Sequence, residues 1–147
     1  MKIILILSLL MAPFVLTSCR SGGIVLRDTP LGLSDTRVAI VTVIGQPRSM
    51  STNGRELFSK YYDVNGKNIE KMDLIRERFT THVYVLGDSR PYDVKVEVIV
   101  EERTEGDHFE VEDHDEKRAQ DVADKIHKAL NLSRDSNRNV IDDFHSF

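Results

Sequence analysis

Two histidines and two glutamates alternate within residues 108–114, and both residue types are common metal ligands. His108, Glu110, Glu112 and His114 follow one another at intervals of two. On a β-strand, residues spaced in this way project from the same face, and imidazole and carboxylate groups so aligned bind Zn²⁺ or a similar ion. The spacing therefore predicts a metal site on a strand. The alternative is a charged strand edge, because edge strands commonly carry charge that prevents sheets from associating.

A serine, an aspartate and a histidine supply the residue types of a nucleophilic triad. Ser89 ends the run Val-Leu-Gly-Asp-Ser at residues 85–89, and Asp142 precedes His145 by three positions. The run resembles the nucleophile block of the GDSL esterases, and the late pair resembles their Asp-x-x-His, which implies a hydrolase. A hairpin turn explains residues 87–91 without chemistry. We therefore expect no enzymatic activity and keep hydrolysis as a remote alternative.

Cys19 is the third chemically distinctive feature. It is the only cysteine, so an intrachain disulfide is excluded. It follows Lys2 and a mostly aliphatic run at residues 3–16, which matches a signal-peptide core and is too short to cross a hydrocarbon layer of ~30 Å comfortably. The tetrapeptide Leu-Thr-Ser-Cys at residues 16–19 resembles the lipobox of bacterial lipoproteins. The resemblance implies cleavage before Cys19 and lipid on its thiol. The alternative is an ordinary secretory leader that leaves a free thiol.

The lipobox resemblance also implies an address. Two or three acyl chains on Cys19 anchor a protein stably to a membrane. In proteobacterial lipoproteins, an Asp directly after the cysteine retains the protein at the inner membrane, and Arg20 occupies that position here. We therefore expect a lipid-anchored protein of the bacterial cell envelope, on the outer membrane and facing the periplasm if the organism is Gram-negative.

The composition of the 147-residue chain is that of a globular protein, with 40% hydrophobic and 30% charged residues. The net charge is −4, and the basic residues are scattered among Asp and Glu. Such a distribution lacks the basic patch that nucleic-acid binding requires. We expect no nucleic-acid partner and no cofactor.

The elements that would position these residues follow from hydrophobic periodicity. Residues 37–44 form a nearly continuous β-branched run, which predicts a buried strand. Strands are also predicted at residues 56–63, 78–86, 92–102 and 109–112, with alternating valines clearest in residues 92–102. Turns are predicted at the pair Asn65-Gly66, at residues 87–91 and at residues 105–107.

One amphipathic helix is predicted over residues 117–130. Its apolar positions recur at helical spacing and are Ala119, Val122, Ala123, Ile126 and Leu130. Asp113 or Asp115 would cap its N-terminus. The predicted fold class is α+β, with a small, largely antiparallel sheet of four to five strands and this C-terminal helix on one face. The predicted organisation is a cleaved signal peptide at 1–18, a lipidated flexible tether at 19–36 and one domain at 37–147.

The leading functional hypothesis is a non-enzymatic, lipid-anchored envelope protein that binds another envelope protein. Its predicted partner-binding residues are Glu110 and Glu112, on a strand that could accept a partner strand at its free edge. The alternative is a periplasmic module that binds a metal or a small ligand.

Overall fold

The computed structural model describes residues 22–71, 75–106 and 108–144, with side chains as far as Ser136. Within these residues, the elements in chain order are β1 (Ile24–Thr29), α1 (Leu33–Ile44), β2 (Ser49–Met50), β3 (Glu56–Phe58), β4 (Glu77–Leu86), β5 (Tyr92–Arg103), β6 (Phe109–His114) and α2 (Glu116–Phe144). The six strands form one sheet, and all its pairings are antiparallel. The predicted α+β class is confirmed, and the sheet is larger than predicted.

The strand order places β5 at a branch point of the sheet. Strands β2, β3, β4 and β5 are neighbours in that order, and β4 pairs with β5 along its whole length. The opposite edge of β5 is shared by two shorter strands. β1 pairs with the first half of β5, and β6 pairs with the second half. β1 and β6 therefore lie end to end along one edge of the sheet.

The core lies between the sheet and the two helices, which pack on the same face. Alternate residues of β5, among them Val94, Val96 and Val98, are almost fully buried because period-two alternation directs them to one face. In the same apolar cluster, Ile40 of α1 and Ile126 of α2 are completely buried. The helix–sheet packing predicted for α2 is therefore confirmed, and α1 completes that layer.

Helix α2 begins where its sequence signals predicted. The backbone N–H of Arg118 donates a hydrogen bond to Oδ1 of Asp115 at 2.9 Å, which satisfies a free amide of the first turn. Of the two predicted caps, Asp115 is therefore the one that acts. The helix continues beyond Leu130 to Phe144, so it is longer than the predicted span of 117–130.

The strand predicted at residues 37–44 is wrong, because this segment lies in helix α1. The helix buries Thr36, Ala39 and Ile40 on one side and leaves Val38 62% exposed. It ends at Gly45, whose φ of 73° suits glycine and whose N–H donates to the carbonyl of Val41. β-Branched residues lose only a few tenths of a kcal/mol to ~0.7 kcal/mol each in a helix. The packing of α1 against α2 and the sheet therefore outweighs the preference of β-branched residues for strands.

The predicted tether at 19–36 is also wrong over most of its length. Residues 24–29 form β1, with Ile24 opposite Val96 and Leu26 opposite Val94. The first residues of α1 lie in the same span. Apolar side chains at 24 and 26 pack against the core, which gives the segment a reason to pair with β5. The predicted signal peptide and Cys19 lie outside the described residues.

The connections between strands agree with the predicted turns better than α1 and β1 agree with the elements predicted for their residues. The 87–91 segment joins β4 to β5, and residues 62–68 form a small hairpin in which Tyr62 and Asn68 pair. Asp63 stabilises this hairpin, because its Oδ1 accepts hydrogen bonds from the backbone N–H groups of Asn65 and Lys67. The predicted strand at 56–63 is shorter, since β3 ends at Phe58.

Candidate functional site

Strand β6 is an exposed edge of the sheet. Among the described residues it pairs only with β5. Five of its six residues are exposed, and Val111 is 60% exposed. The outer side of an edge strand presents backbone N–H and C=O groups without a neighbouring strand. Glu110 and Glu112, the predicted partner-binding residues, both lie on this strand.

A β-bulge in β6 separates the residues of the predicted metal site. Val111 lies opposite Glu101 and Asp113 lies opposite Val100, so Glu112 is the extra residue between them. The bulge shifts the register by one. Residues that lie an even number of positions apart on its two sides therefore project from opposite faces. The prediction that the four residues share one face of the strand is therefore wrong.

The four predicted ligands are consequently dispersed. Glu110 lies opposite Glu102 on the helix side of the sheet, whereas His114 lies opposite Ile99 on the other side. His108 precedes the strand and is exposed. No cluster of three or more His, Cys, Asp or Glu side chains suited to a metal ion occurs in the part of the chain that the structure describes.

The bulged end of β6 concentrates negative charge. The carboxylate of Glu102 raises the pKa of Glu112, and those of Glu77 and Asp113 add to the effect. A neighbouring carboxylate disfavours the ionised form of a carboxyl group, and it is the largest cause of the raised pKa of Glu112. This end of the strand therefore favours a cationic group, which would relieve the repulsion.

The face of the sheet opposite the helices carries a row of stacked side chains that sequence reasoning missed. We call this row the aromatic–cation ladder, and its members in order of contact are Arg103, Phe109, Arg78, Tyr61, Arg48, Phe58, His82, Tyr84 and Lys95. The Arg78 guanidinium carbon lies 3.8 Å from the Tyr61 ring centroid and 3.9 Å from that of Phe109. Cations over aromatic faces attract the ring electrons.

The ladder acts as a cover for the sheet. Each of its rings contacts another ring, a guanidinium or the Lys95 ammonium group. Arg78 also forms an ion pair with Glu101, and Lys95 forms one with Glu97. His82 within the ladder, and Thr80 and Glu97 beneath it, are buried although neither helix of the described residues covers this face. The available sequence signal for it was the even spacing of Arg78, His82 and Tyr84, which places them on one face of a strand.

Of the three predicted hydrolase residues, only Ser89 has a described side chain. Ser89 lies in the exposed turn between β4 and β5. Asp142 lies in the last turns of α2, where side chains are not described, and His145 lies outside the described residues.

A small cavity of about 250 Å³ opens on the helix side of the sheet. Its lining joins apolar side chains of α1 and α2, including Val43 and Val122, to the hydroxyl-bearing residues Ser59, Tyr62 and Thr81. The Tyr62 and Thr81 hydroxyls are hydrogen-bonded at 3.0 Å, and burial raises the pKa of Tyr62. The cavity is therefore amphipathic, and its tyrosine is neutral at physiological pH.

The fold and the edge define an α+β protein with an antiparallel sheet, helices on one face and an exposed acidic strand. No helix within the described ranges is long and apolar enough to span a bilayer. No protein-family model, curated protein or solved structure matches this chain.

Proposed function

We propose that this protein is a non-enzymatic lipoprotein of the bacterial envelope, anchored through Cys19, that binds another envelope protein at strand β6. The observation that carries the binding proposal is the exposed outer edge of β6, which has no neighbouring strand among the described residues. An extended partner segment would add to that edge through backbone hydrogen bonds.

The charge of the strand indicates what kind of partner fits. Glu110, Glu112 and Asp113 are all exposed, and like-charge repulsion already raises the pKa of Glu112. A basic extended segment would place cations beside these carboxylates and speed the encounter. The same charges disfavour pairing with β6 of a second copy.

Charge reversal tests the binding surface. The double variant Glu110→Lys, Glu112→Lys should lose the proteins that co-purify with the tagged lipoprotein from native membranes. Binding of the parent should weaken as salt rises, because exposed charges are screened within about 8 Å at physiological ionic strength. The control Asp124→Lys, Asp135→Lys makes the same charge change on exposed residues of α2 and should retain them. Unchanged recovery and salt tolerance in the β6 variant would refute the proposal.

The anchor has a separate test. Cys19→Ser removes the only thiol, so incorporation of radiolabelled palmitate and cleavage by the lipoprotein signal peptidase should both be lost. A Cys19→Ser protein that still incorporates palmitate would show that another residue carries the lipid.

A second candidate function is supported by the cavity of about 250 Å³ beside α2. Its mixture of hydroxyl groups and apolar side chains suits a small polar organic molecule, since ligand sites join an apolar lining to a few polar groups. Organic acids and monosaccharides should then raise the melting temperature of the parent protein. Val122→Phe, which fills part of the cavity, should abolish the shift. If none of these compounds shifts the parent, this candidate has no support.

A further inference from the structure

The described chain begins beside the end of strand β6. A Cβ atom built on Gly22 would lie only 2.9 Å from Cβ of His114, the last residue of β6. Gly23 follows, and Ile24 begins β1. The chain therefore enters the fold at the junction of β1 and β6.

Little chain separates this junction from the proposed lipid. Only residues 19–21 precede Gly22 in a chain processed at Cys19. Because an extended residue spans at most ~3.6 Å, the Cα atoms of Cys19 and Gly22 are at most about 11 Å apart. A flexible tether over residues 19–36, as the sequence suggested, would have allowed roughly 60 Å.

The short connection determines which part of the sheet lies near the bilayer. β1 and β6 share one edge, and β2 forms the opposite edge. Four strand spacings separate β1 from β2, which is about 19 Å. β6 itself extends about 20 Å from the junction. The junction, with the His114 end of β6, is therefore the part of the sheet nearest the anchored cysteine, and β6 continues from it along the same edge.

We propose that the β1–β6 edge is held at the bilayer surface, and that β6 pairs with a basic, extended segment of a partner embedded or anchored in the same membrane. The proposal rests on the proposed anchor at Cys19 and names the partner class for the proposed binding strand. A soluble partner domain would have to enter the narrow space beside the headgroups. A juxtamembrane segment is already there, and the exposed carboxylates of β6 favour a basic one.

The composition of the chain permits a direct test of the orientation. The protein has no Trp and one Cys, so one introduced tryptophan reports one position and Cys19 is the only coupling site. The chain from Cys19 onwards, which keeps every described element, is coupled through that thiol to maleimide-bearing phosphatidylcholine vesicles that also contain a headgroup nitroxide lipid. Val25→Trp reports β1 and Met50→Trp reports β2, since both side chains are exposed. Circular dichroism verifies that each variant is folded.

We expect the nitroxide to quench tryptophan at 25 about twofold or more strongly than tryptophan at 50, given their separation of about 19 Å. Inserting a Gly-Ser linker of about twenty residues between Ser21 and Gly22 should abolish the difference. Equal quenching in the parent connection would overturn the orientation. Because Cys19 is coupled chemically, this result does not depend on lipidation in cells, so it is distinct from the palmitate test of the anchor.

Photo-crosslinking tests the partner class. A photoreactive residue replaces Val111 on β6, or Leu132 on α2 as the control, and both positions are exposed. In native membranes, the Val111 crosslink should map to a basic stretch of a partner next to its transmembrane segment or lipidated residue. A crosslink to a membrane-distant domain, to a second copy of this chain or to nothing would overturn the proposal.

Discussion

Thr36 places a hydroxyl group in the apolar core without compensation. Its side chain is completely buried in α1, and Oγ1 has no hydrogen-bond partner within the described part of the chain. Thr81 is a useful contrast, because it is also buried but its hydroxyl bonds to that of Tyr62 at 3.0 Å. A buried polar group is costly only when it lacks a partner.

We therefore predict that Thr36→Val increases the free energy of unfolding by about 1–2 kcal/mol, because valine has the same shape without the unsatisfied hydroxyl. Thr81→Val should decrease it by about 1 kcal/mol, since it removes a hydrogen bond. Urea denaturation of both variants measures the difference. Equal destabilisation by the two substitutions would contradict the assignment.

His82 is a buried titratable group within the ladder. Its ring lies 3.7 Å, centroid to centroid, from both Phe58 and Tyr84. Burial lowers the pKa of His82 below its usual 6.5, although the carboxylates of Glu56 and Glu97 oppose the shift. The unfolded chain therefore takes up this proton at a higher pH than the folded one does.

The sign of the pH dependence follows from linkage. The contribution of neutral His82 is present above about pH 6.5 and is lost as the pH falls towards its folded pKa. We predict that the melting temperature falls between pH 7 and pH 5, and that His82→Phe reduces this fall while keeping the ring stack. The exposed His127 gives the control, His127→Gln, which should retain the parental slope. An unchanged slope in His82→Phe would exclude this residue as the cause.

At the scale of the elements, α1 is the segment whose sequence and structure disagree most. Thr42 illustrates the adjustment, because its hydroxyl donates back to the carbonyl of Val38 one turn earlier. Val38 itself contacts little, being 62% exposed. Its replacement therefore measures the backbone preference of the segment more than its packing.

Alanine at position 38 should stabilise the protein by about 0.5 kcal/mol, because alanine is the better helix former. Alanine at position 25, on the exposed side of β1, should destabilise it, because valine is favoured in strands. Thermal denaturation of both variants compares them. Destabilisation by Val38→Ala would indicate that the segment is extended, as its composition suggested.

At the scale of the whole molecule, the two faces of the sheet are covered by different means. The helices cover one face, and Ile126 of α2 is completely buried in a cluster that also includes Ile40 of α1 and Val96 of β5. The aromatic–cation ladder covers the other. Stability therefore depends on contacts among segments far apart in the chain.

Ile126→Ala should lower the free energy of unfolding by about 2–5 kcal/mol, because it leaves a cavity where all three segments meet. The control Leu132→Ala lies on the same helix but is 61% exposed, and should change it by less than about 0.5 kcal/mol. A single cooperative transition in urea would allow both values to be measured. Similar effects of the two substitutions would indicate that α2 does not pack on the sheet.

The sequence alone determined the elements whose patterns are local. Alternation of valines in residues 92–102 predicted β5, and the turn before it predicted the β4–β5 hairpin. The helical spacing from Ala119 to Leu130, with Asp115 as cap, predicted the beginning and the buried side of α2. Each pattern lies within one element, and the core needs only one side of each. The exposure of Glu110 and Glu112 was also predictable, because a charged side chain on a strand favours the side that the core does not use.

Only the tertiary structure decided the conformation of α1, the bulge in β6 and the aromatic–cation ladder. A continuous β-branched run has no period of its own, so packing against α2 and the sheet selected the helix at residues 33–44. The bulge at Glu112 depends on its register with β5, and it separates side chains whose spacing suggested a common face. The ladder joins residues of β3, β4, β5 and β6 with Arg48 and Tyr61 of the neighbouring loops, and only sheet pairing brings them together. The free energies of such contacts depend on residues far apart in the chain, so a local sequence pattern does not predict them.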